Sequence, residues 1–440
     1  MISRIKNKIN SSTLIKGASV SFIIRIIGMV LGYLVTLIIS NYYGANVLGI
    51  YALTFVFIQM FAMMARLGMD MALVKYIAEY ENKGEYFLIK KIYFMVLKLV
   101  IPFSLLVSVV AYYYSPYIAD SIFHKNYLTP YFQVASLAIL PYTLIFINSE
   151  SLRGMHKIKE YMIFQNITTT VVILLILVIA FIYESDNMYI PILALVSAIV
   201  VTFVLSSVSW YRKIFQVTKV IQESISFKQL LSVGMPLTLT SYLTILMGST
   251  DTIMLGMYTT ESDIGIYSVV TKLSTMTLLV LMAVNTLTIP KIAALWGHRD
   301  IQAIDKLNHE STKLIVYLSL PLFLFLWVFP DFVLSIFGDE FKEGKLALIL
   351  ITIGQFISIL CGPVWHMMNM TNKQKIFFYF SIFSTIINIV LNVLLIPLYG
   401  VTGAAFATLM SILFLNLISV LYIKKEFNLL TIYIPKMGRE

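Results

Sequence analysis

The chain has 440 residues, of which 59% are hydrophobic and only 12% charged, about half the charged fraction of a soluble globule, so a water-soluble domain is excluded. Its formal charge of +10 follows from sidedness along the chain and calls for no nucleic acid. One cysteine, Cys361, excludes disulfides and a cysteine cluster, and His124, His156, His298, His309 and His366 lack ligand spacing, so no metal or other cofactor is expected.

Twelve apolar runs follow in order, at about 17–40, 46–66, 92–114, 129–150, 161–183, 189–211, 232–257, 265–289, 314–334, 346–367, 376–397 and 401–423. Each is long enough to cross ~30 Å of hydrocarbon as a helix, and lipid leaves the backbone no partner outside a helix or a closed barrel. A barrel would alternate polar and apolar residues in ~10-residue strands; runs such as 171–180 do not. The opening MISRIKNKIN resembles a signal sequence, but its apolar run continues without a small-residue cleavage site, so an uncleaved first helix is expected. No connection has room for a soluble domain.

Basic residues mark one face. Of 32 Lys and Arg, 25 lie at the termini and in even-numbered connections, while odd-numbered connections hold only Lys125, Lys342 and Lys345. The positive-inside bias then places both termini in the cytoplasm of a multi-pass protein of the cell (inner) membrane. Four cations remain within the spans: Arg25, Arg66, Lys98 and Lys272.

The sequence also matches itself at a shift of 216 residues: Tyr42, Gly49, Ile50 and Tyr51 fall on Tyr258, Gly265, Ile266 and Tyr267, and Gly32 falls on Gly248. Six helices per copy make the copies parallel repeats, an arrangement found in transporters with a central site. The expected fold is all-α, with residues 1–216 as an N-lobe and 217–440 as a C-lobe around a central cavity. The boundary is expected in the polar stretch Arg212–Lys228. Pro102, Pro321 and Pro363 interrupt spans and allow bends, as hinges or as ordinary features of membrane helices.

Arg25 lies nine residues past Lys16, roughly 13 Å into the span, with Gly28 and Gly32 along the same face. Small residues at that spacing suit a packing seam; an intramembrane arginine suits a pathway. Asp251 and Lys272 fall at similar depth on consecutive helices, so they can pair statically or line a wet wall with Thr240 and Thr244. Arg66 can pair with Asp70 at an interface or face the lumen, and Lys98 can snorkel to the surface or do likewise. Cations outnumber deep carboxylates, which favours an anion such as a diphosphate over a cationic drug. No Gly-x-x-x-x-Gly-Lys-Ser/Thr loop is present, and the short outer connections disfavour a glycan polymerase or ligase.

The segment NYYGANVLGIYAL (41–53), continued by LGMDMALVK (67–75), resembles the N-terminal signature of Wzx-type polysaccharide transporters. These are lipid-linked oligosaccharide flippases of the multidrug/oligosaccharidyl-lipid/polysaccharide (MOP) exporter superfamily. Asp251 with Gly265, Ile266 and Tyr267, then NVLLIP (392–397) with Gly400, Gly403 and Thr408, extend the resemblance across the chain. It implies two six-helix lobes with alternating access and a polyprenyl-diphosphate-linked oligosaccharide as substrate, moved to the outer leaflet. Carried over by position are the helix-1 arginine, Arg25, and the helix-7 aspartate, Asp251, the latter as a coupling group for H+ or Na+. Lys272, Arg66 and Lys98 join Arg25 as candidate diphosphate residues. Relatives that flip lipid II usually have two further helices. The alternative within the superfamily is a cation-coupled drug or metabolite antiporter, which typically carries N-lobe carboxylates; helices 1 and 2 have none at mid-span.

Overall fold

Long apolar runs become helices because each must satisfy its own backbone, and every long element here is one. The computed structural model describes residues 2–214, 227–429 and 431–433, with side chains described at 20–213, 227, 229–232, 234, 248–429 and 431–433.

The first two apolar runs form α1 (Ile2–Arg66), interrupted at Gly44, whose φ of 83° and ψ of 174° lie outside the helical region. A side chain would be strained there, so glycine lets one chain turn back across the membrane. An amphipathic α2 (Met69–Lys83) follows. Then come α3 (Tyr86–Tyr117), α4 (Thr129–Gly154), the broken pair α5 (Ile158–Asn166) and α6 (Thr168–Ile182), and α7 (Ile190–Ile214).

The second half runs through α8 (Phe227–Tyr258), α9 (Glu261–Met276), α10 (Leu279–Gly297) and α11 (Ile301–Val328). It continues with α12 (Pro330–Ser335), α13 (Lys345–Leu360), α14 (Val364–Met370) and α15 (Gln374–Phe427). Thr260 caps α9 reciprocally with Asp263, as its Thr-x-x-Asp sequence dictates. The 54 residues of α15 break at Gly400, with φ 53° and ψ −128°.

Among the described residues nine helices are long and apolar enough to cross a membrane. Two of them, in α1 and α15, are double-length and kinked at glycine, so the nine hold eleven crossings. The 32 residues of α8, about 48 Å of helix, are long enough to span as well. The protein is thus an all-α polytopic membrane protein, as its composition requires. The apolar run 265–289 is not one helix: it divides between α9 and α10 at Thr277–Leu278. The run 161–183 divides likewise at Ile167.

Packing forms two compact units, Met1–Ser249 and Thr250–Glu440. The lobe boundary expected at 216/217 lies in 215–226, outside the described residues. In the first unit α2 buries Met69, Leu73 and Ile77 against Leu88, Ile92 and Val96 of α3 and Leu152 of α4. Tyr93 stacks on Trp210 with centroids 3.4 Å apart and donates its hydroxyl to Asn148 Oδ1 at 2.5 Å. The Asn148 amide donates in turn to Ser206 and Ser207, each at 3.0 Å. This polar rivet ties α3, α4 and α7 together, where lipid supplies no hydrophobic drive between helices. In the second unit the chain after α15 folds back, Tyr433 N–H donating to the Leu360 carbonyl at 2.9 Å.

Candidate functional site

In the second unit, one carboxylate collects four donors. The kink at Gly400 brings the two arms of α15 together, so closely that a Cβ on Gly403 would lie 2.4 Å from the Leu395 carbonyl oxygen. Asn388 and Asn392, one turn apart on the first arm, therefore face the same side as Thr408 on the second. Asp251 of α8 sits among them, and Tyr267 of α9 completes the set.

The geometry is tight. Asp251 Oδ1 accepts from Asn392 Nδ2 at 2.6 Å and from Asn388 Nδ2 at 3.1 Å. Its Oδ2 accepts from the hydroxyls of Tyr267 and Thr408, each at 2.5 Å. Asn392 also donates to Asn388 Oδ1 at 3.1 Å. Tyr267 and Asn392 are fully or almost fully buried, while Asp251 is half-buried. All four contacts are donors, which suits a carboxylate in its charged form. All four are also neutral, so they satisfy the oxygens without cancelling the charge. Asn392 Oδ1, buried beside them, has no hydrogen-bond partner among the described residues.

The face-to-face pairing of Asp251 with Lys272 does not form. Tyr267 occupies the position opposite Asp251, and Lys272, five residues on, points about 140° away around α9; it is half-buried. Thr240 and Thr244 lie on α8, and their side chains fall outside the described residues.

In the first unit, Arg25 is exposed. Gly28 is a close packing point, since a Cβ there would meet the Asn166 carbonyl oxygen at 2.5 Å, whereas Gly32 has open space. That contact packs α1 against α5 one turn beyond Arg25. Arg66 is 4% exposed. Its Nη1 lies 3.2 Å from Asp70 Oδ2, and its guanidinium sits 3.9 Å from the Phe146 ring centroid, which closes it off as an internal ion pair. Lys98 is exposed on α3. Within the second unit the structure therefore brings Asp251 together with Tyr267, Asn388, Asn392 and Thr408, and does not bring Lys272 to it.

Sequence reasoning gave no role to Asn388 or Asn392. Two amides at i, i+4 in an otherwise apolar span were the available signal, because each is costly in lipid without a partner. Glu150, 6% exposed on the last turn of α4, was missed because it lies beside basic residues at a span end.

Comparison with known proteins agrees with this architecture. The family model described as polysaccharide biosynthesis protein matches residues 14–296, and the MatE model matches 236–394. A probable low-salt glycan biosynthesis flippase, Agl15 of Haloferax volcanii, is 26% identical over 162 residues, 37% of this chain and 34% of that protein. The match thus spans about a third of that relative. An inward-facing multidrug resistance MATE family transporter of the MOP superfamily superposes with a TM-score of 0.75 at 15% identity, covering 92% of this chain and 98% of that one. The lipid II flippase MurJ, inward closed, gives 0.74 at 15% identity over 92% and 88%. At such identity these two likenesses speak for the fold.

Proposed function

Because the chain belongs to the polysaccharide biosynthesis protein family, within the MOP exporter superfamily, we propose that it is a flippase. In this reading it carries a polyprenyl-diphosphate-linked oligosaccharide from the cytoplasmic to the outer leaflet for surface polysaccharide assembly. The observation that carries the reading is the family match over residues 14–296. Transport makes and breaks no bond, so the protein's work is electrostatic: to replace water around a diphosphate and return it on the other side.

Arg25, exposed on α1, offers a guanidinium fork suited to phosphate oxygens, and Lys272 offers a second cation. Arg66 is committed to Asp70 and serves packing. Asp251 takes the coupling ion: an H+ or Na+ neutralises the carboxylate that four neutral donors leave charged. Alternating access then follows from the two occupancy states of that site, if each favours a different conformation. Both termini face the cytoplasm, since the basic connections fall on that side.

The MatE match over 236–394 encloses Asp251, Asn388 and Asn392, and so favours a second reading, a cation-coupled drug or metabolite antiporter. One experiment separates the two. Cells lacking the chain are compared by mass spectrometry of lipid-linked sugars and by dye sensitivity. Accumulated lipid-linked oligosaccharide, restored to normal by the wild-type chain, is expected. Normal lipid-linked sugars with dye hypersensitivity would replace the flippase reading with the antiporter.

A further inference from the structure

The first unit holds a second charged cluster, remote in sequence from Asp251. Buried Glu150 is paired with Arg153, whose Nε lies 2.7 Å from Glu150 Oε2. The same guanidinium sits 5.2 Å from the Tyr161 ring centroid. Arg25 lies one turn before Gly28, where α1 packs against Asn166 of α5. Asp70 and Arg66 are the next charges facing Glu150, and those two are matched to each other.

Arg153 and Arg66 differ in how they are held. Arg66 is sealed among Asp70, Phe146 and Met63. Arg153 keeps 31% of its side chain exposed and meets its carboxylate through Nε. On its Nη edge the contact to Met71 is with sulfur, at 3.6 Å, a weak acceptor. That edge is the two-pronged face that takes phosphate oxygens in pairs.

We propose that Arg153 and Arg25 form a docking site for the diphosphate head of a prenyl lipid in the leaflet at the basic face, with Glu150 as the internal anion that the head displaces. The proposal rests on the reading of the substrate as a prenyl diphosphate. Its logic is one of release. A transported head must bind well enough to enter and weakly enough to leave. When the diphosphate draws Arg153 away, Glu150 is left buried against the like charge of Asp70, and it competes to recover its partner. The internal carboxylate thereby holds affinity down.

The test uses the purified full-length chain in detergent, titrated with geranylgeranyl diphosphate and, separately, with inorganic pyrophosphate. Glu150→Gln removes the competitor and should tighten geranylgeranyl diphosphate binding about tenfold. Arg153→Lys keeps a cation for Glu150 but loses the fork, and should weaken binding about tenfold. Thermal unfolding of each variant accompanies the titrations. A folded Glu150→Gln protein that binds no tighter, or a folded Arg153→Lys protein that binds as well as wild type, overturns the proposal. Pyrophosphate binding as tight as the prenyl diphosphate overturns its assignment to a lipid. Normal lipid-linked sugars in cells lacking the chain would end the flippase reading instead, while this binding pattern would stand as a property of the purified protein.

Discussion

Asn392 and Asp251 meet across 141 residues of sequence: Nδ2 of the amide lies 2.6 Å from Oδ1 of the carboxylate. The amide's own buried oxygen has no hydrogen-bond partner among the described residues. A cation between that oxygen and the carboxylate would satisfy both at once, since hard monovalent ions take oxygen ligands. Asp251→Asn removes the charge and should abolish ion-coupled transport while the helices still insert. Asn392→Ala should raise the ion concentration needed for half-maximal transport by about tenfold, the equivalent of one lost charge-assisted contact. Initial rates in proteoliposomes, measured against Na+ at fixed pH and against pH without Na+, distinguish the two ions. Unchanged ion dependence in Asp251→Asn would remove Asp251 from coupling.

Gly400 owes its place to conformation alone. Its φ of 53° and ψ of −128° fall where a side chain is strained, yet a Cβ there would meet nothing within 4 Å. Gly400→Ala should therefore cost about 1–3 kcal/mol with no clash to add. Because the kink aligns Asn388 and Asn392 with Thr408, transport should fall as well. Circular dichroism melts in detergent give the first quantity and proteoliposome rates the second. A melting temperature equal to wild type would mean that the arms of α15 do not need this turn.

Two intramembrane arginines should separate by phenotype. Arg66→Ala leaves Asp70 buried without its counter-charge, a loss of about 3–5 kcal/mol, and the double variant Arg66→Ala/Asp70→Ala should recover much of it. Arg25→Ala, at an exposed position, should leave the melting temperature within a degree or two and yet abolish glycan export. Arg25→Lys should retain part of that export, since a point charge replaces the fork. Surface glycan staining beside thermal unfolding reads both, and normal export in Arg25→Ala would strip that residue of its role.

These contrasts also mark what the sequence made legible. Spans were plain because lipid demands about twenty apolar residues per crossing. The double helices α1 and α15 were readable as pairs of runs joined near Gly44 and Gly400. Breaks inside apolar runs, at Ile167 and Thr277, were not, because apolar content does not change where a helix turns. Depth along the chain placed Asp251 and Lys272 at one level, but depth says nothing of azimuth, and Tyr267 holds the facing position. Arg66 with Asp70 was readable as an i, i+4 pair. The Asn388–Asn392 pair carried the same spacing and went without a role, since its partner lay on another element.

The rivet in the first unit offers a test of packing apart from transport. Tyr93 gives its hydroxyl to Asn148, and the Asn148 amide serves Ser206 and Ser207. Tyr93→Phe keeps the 3.4 Å stack on Trp210 but leaves Asn148 Oδ1 buried without its donor, at a cost of about 1–3 kcal/mol. Asn148→Leu removes the acceptor and the amide together, so a double variant with Tyr93→Phe should cost less than the sum of the two singles. That non-additivity is what a shared network gives. Thermal unfolding of the four proteins measures it. Strict additivity would mean that the hydroxyl and the amide stabilise the unit independently, and that α3, α4 and α7 are held by stacking rather than by the rivet.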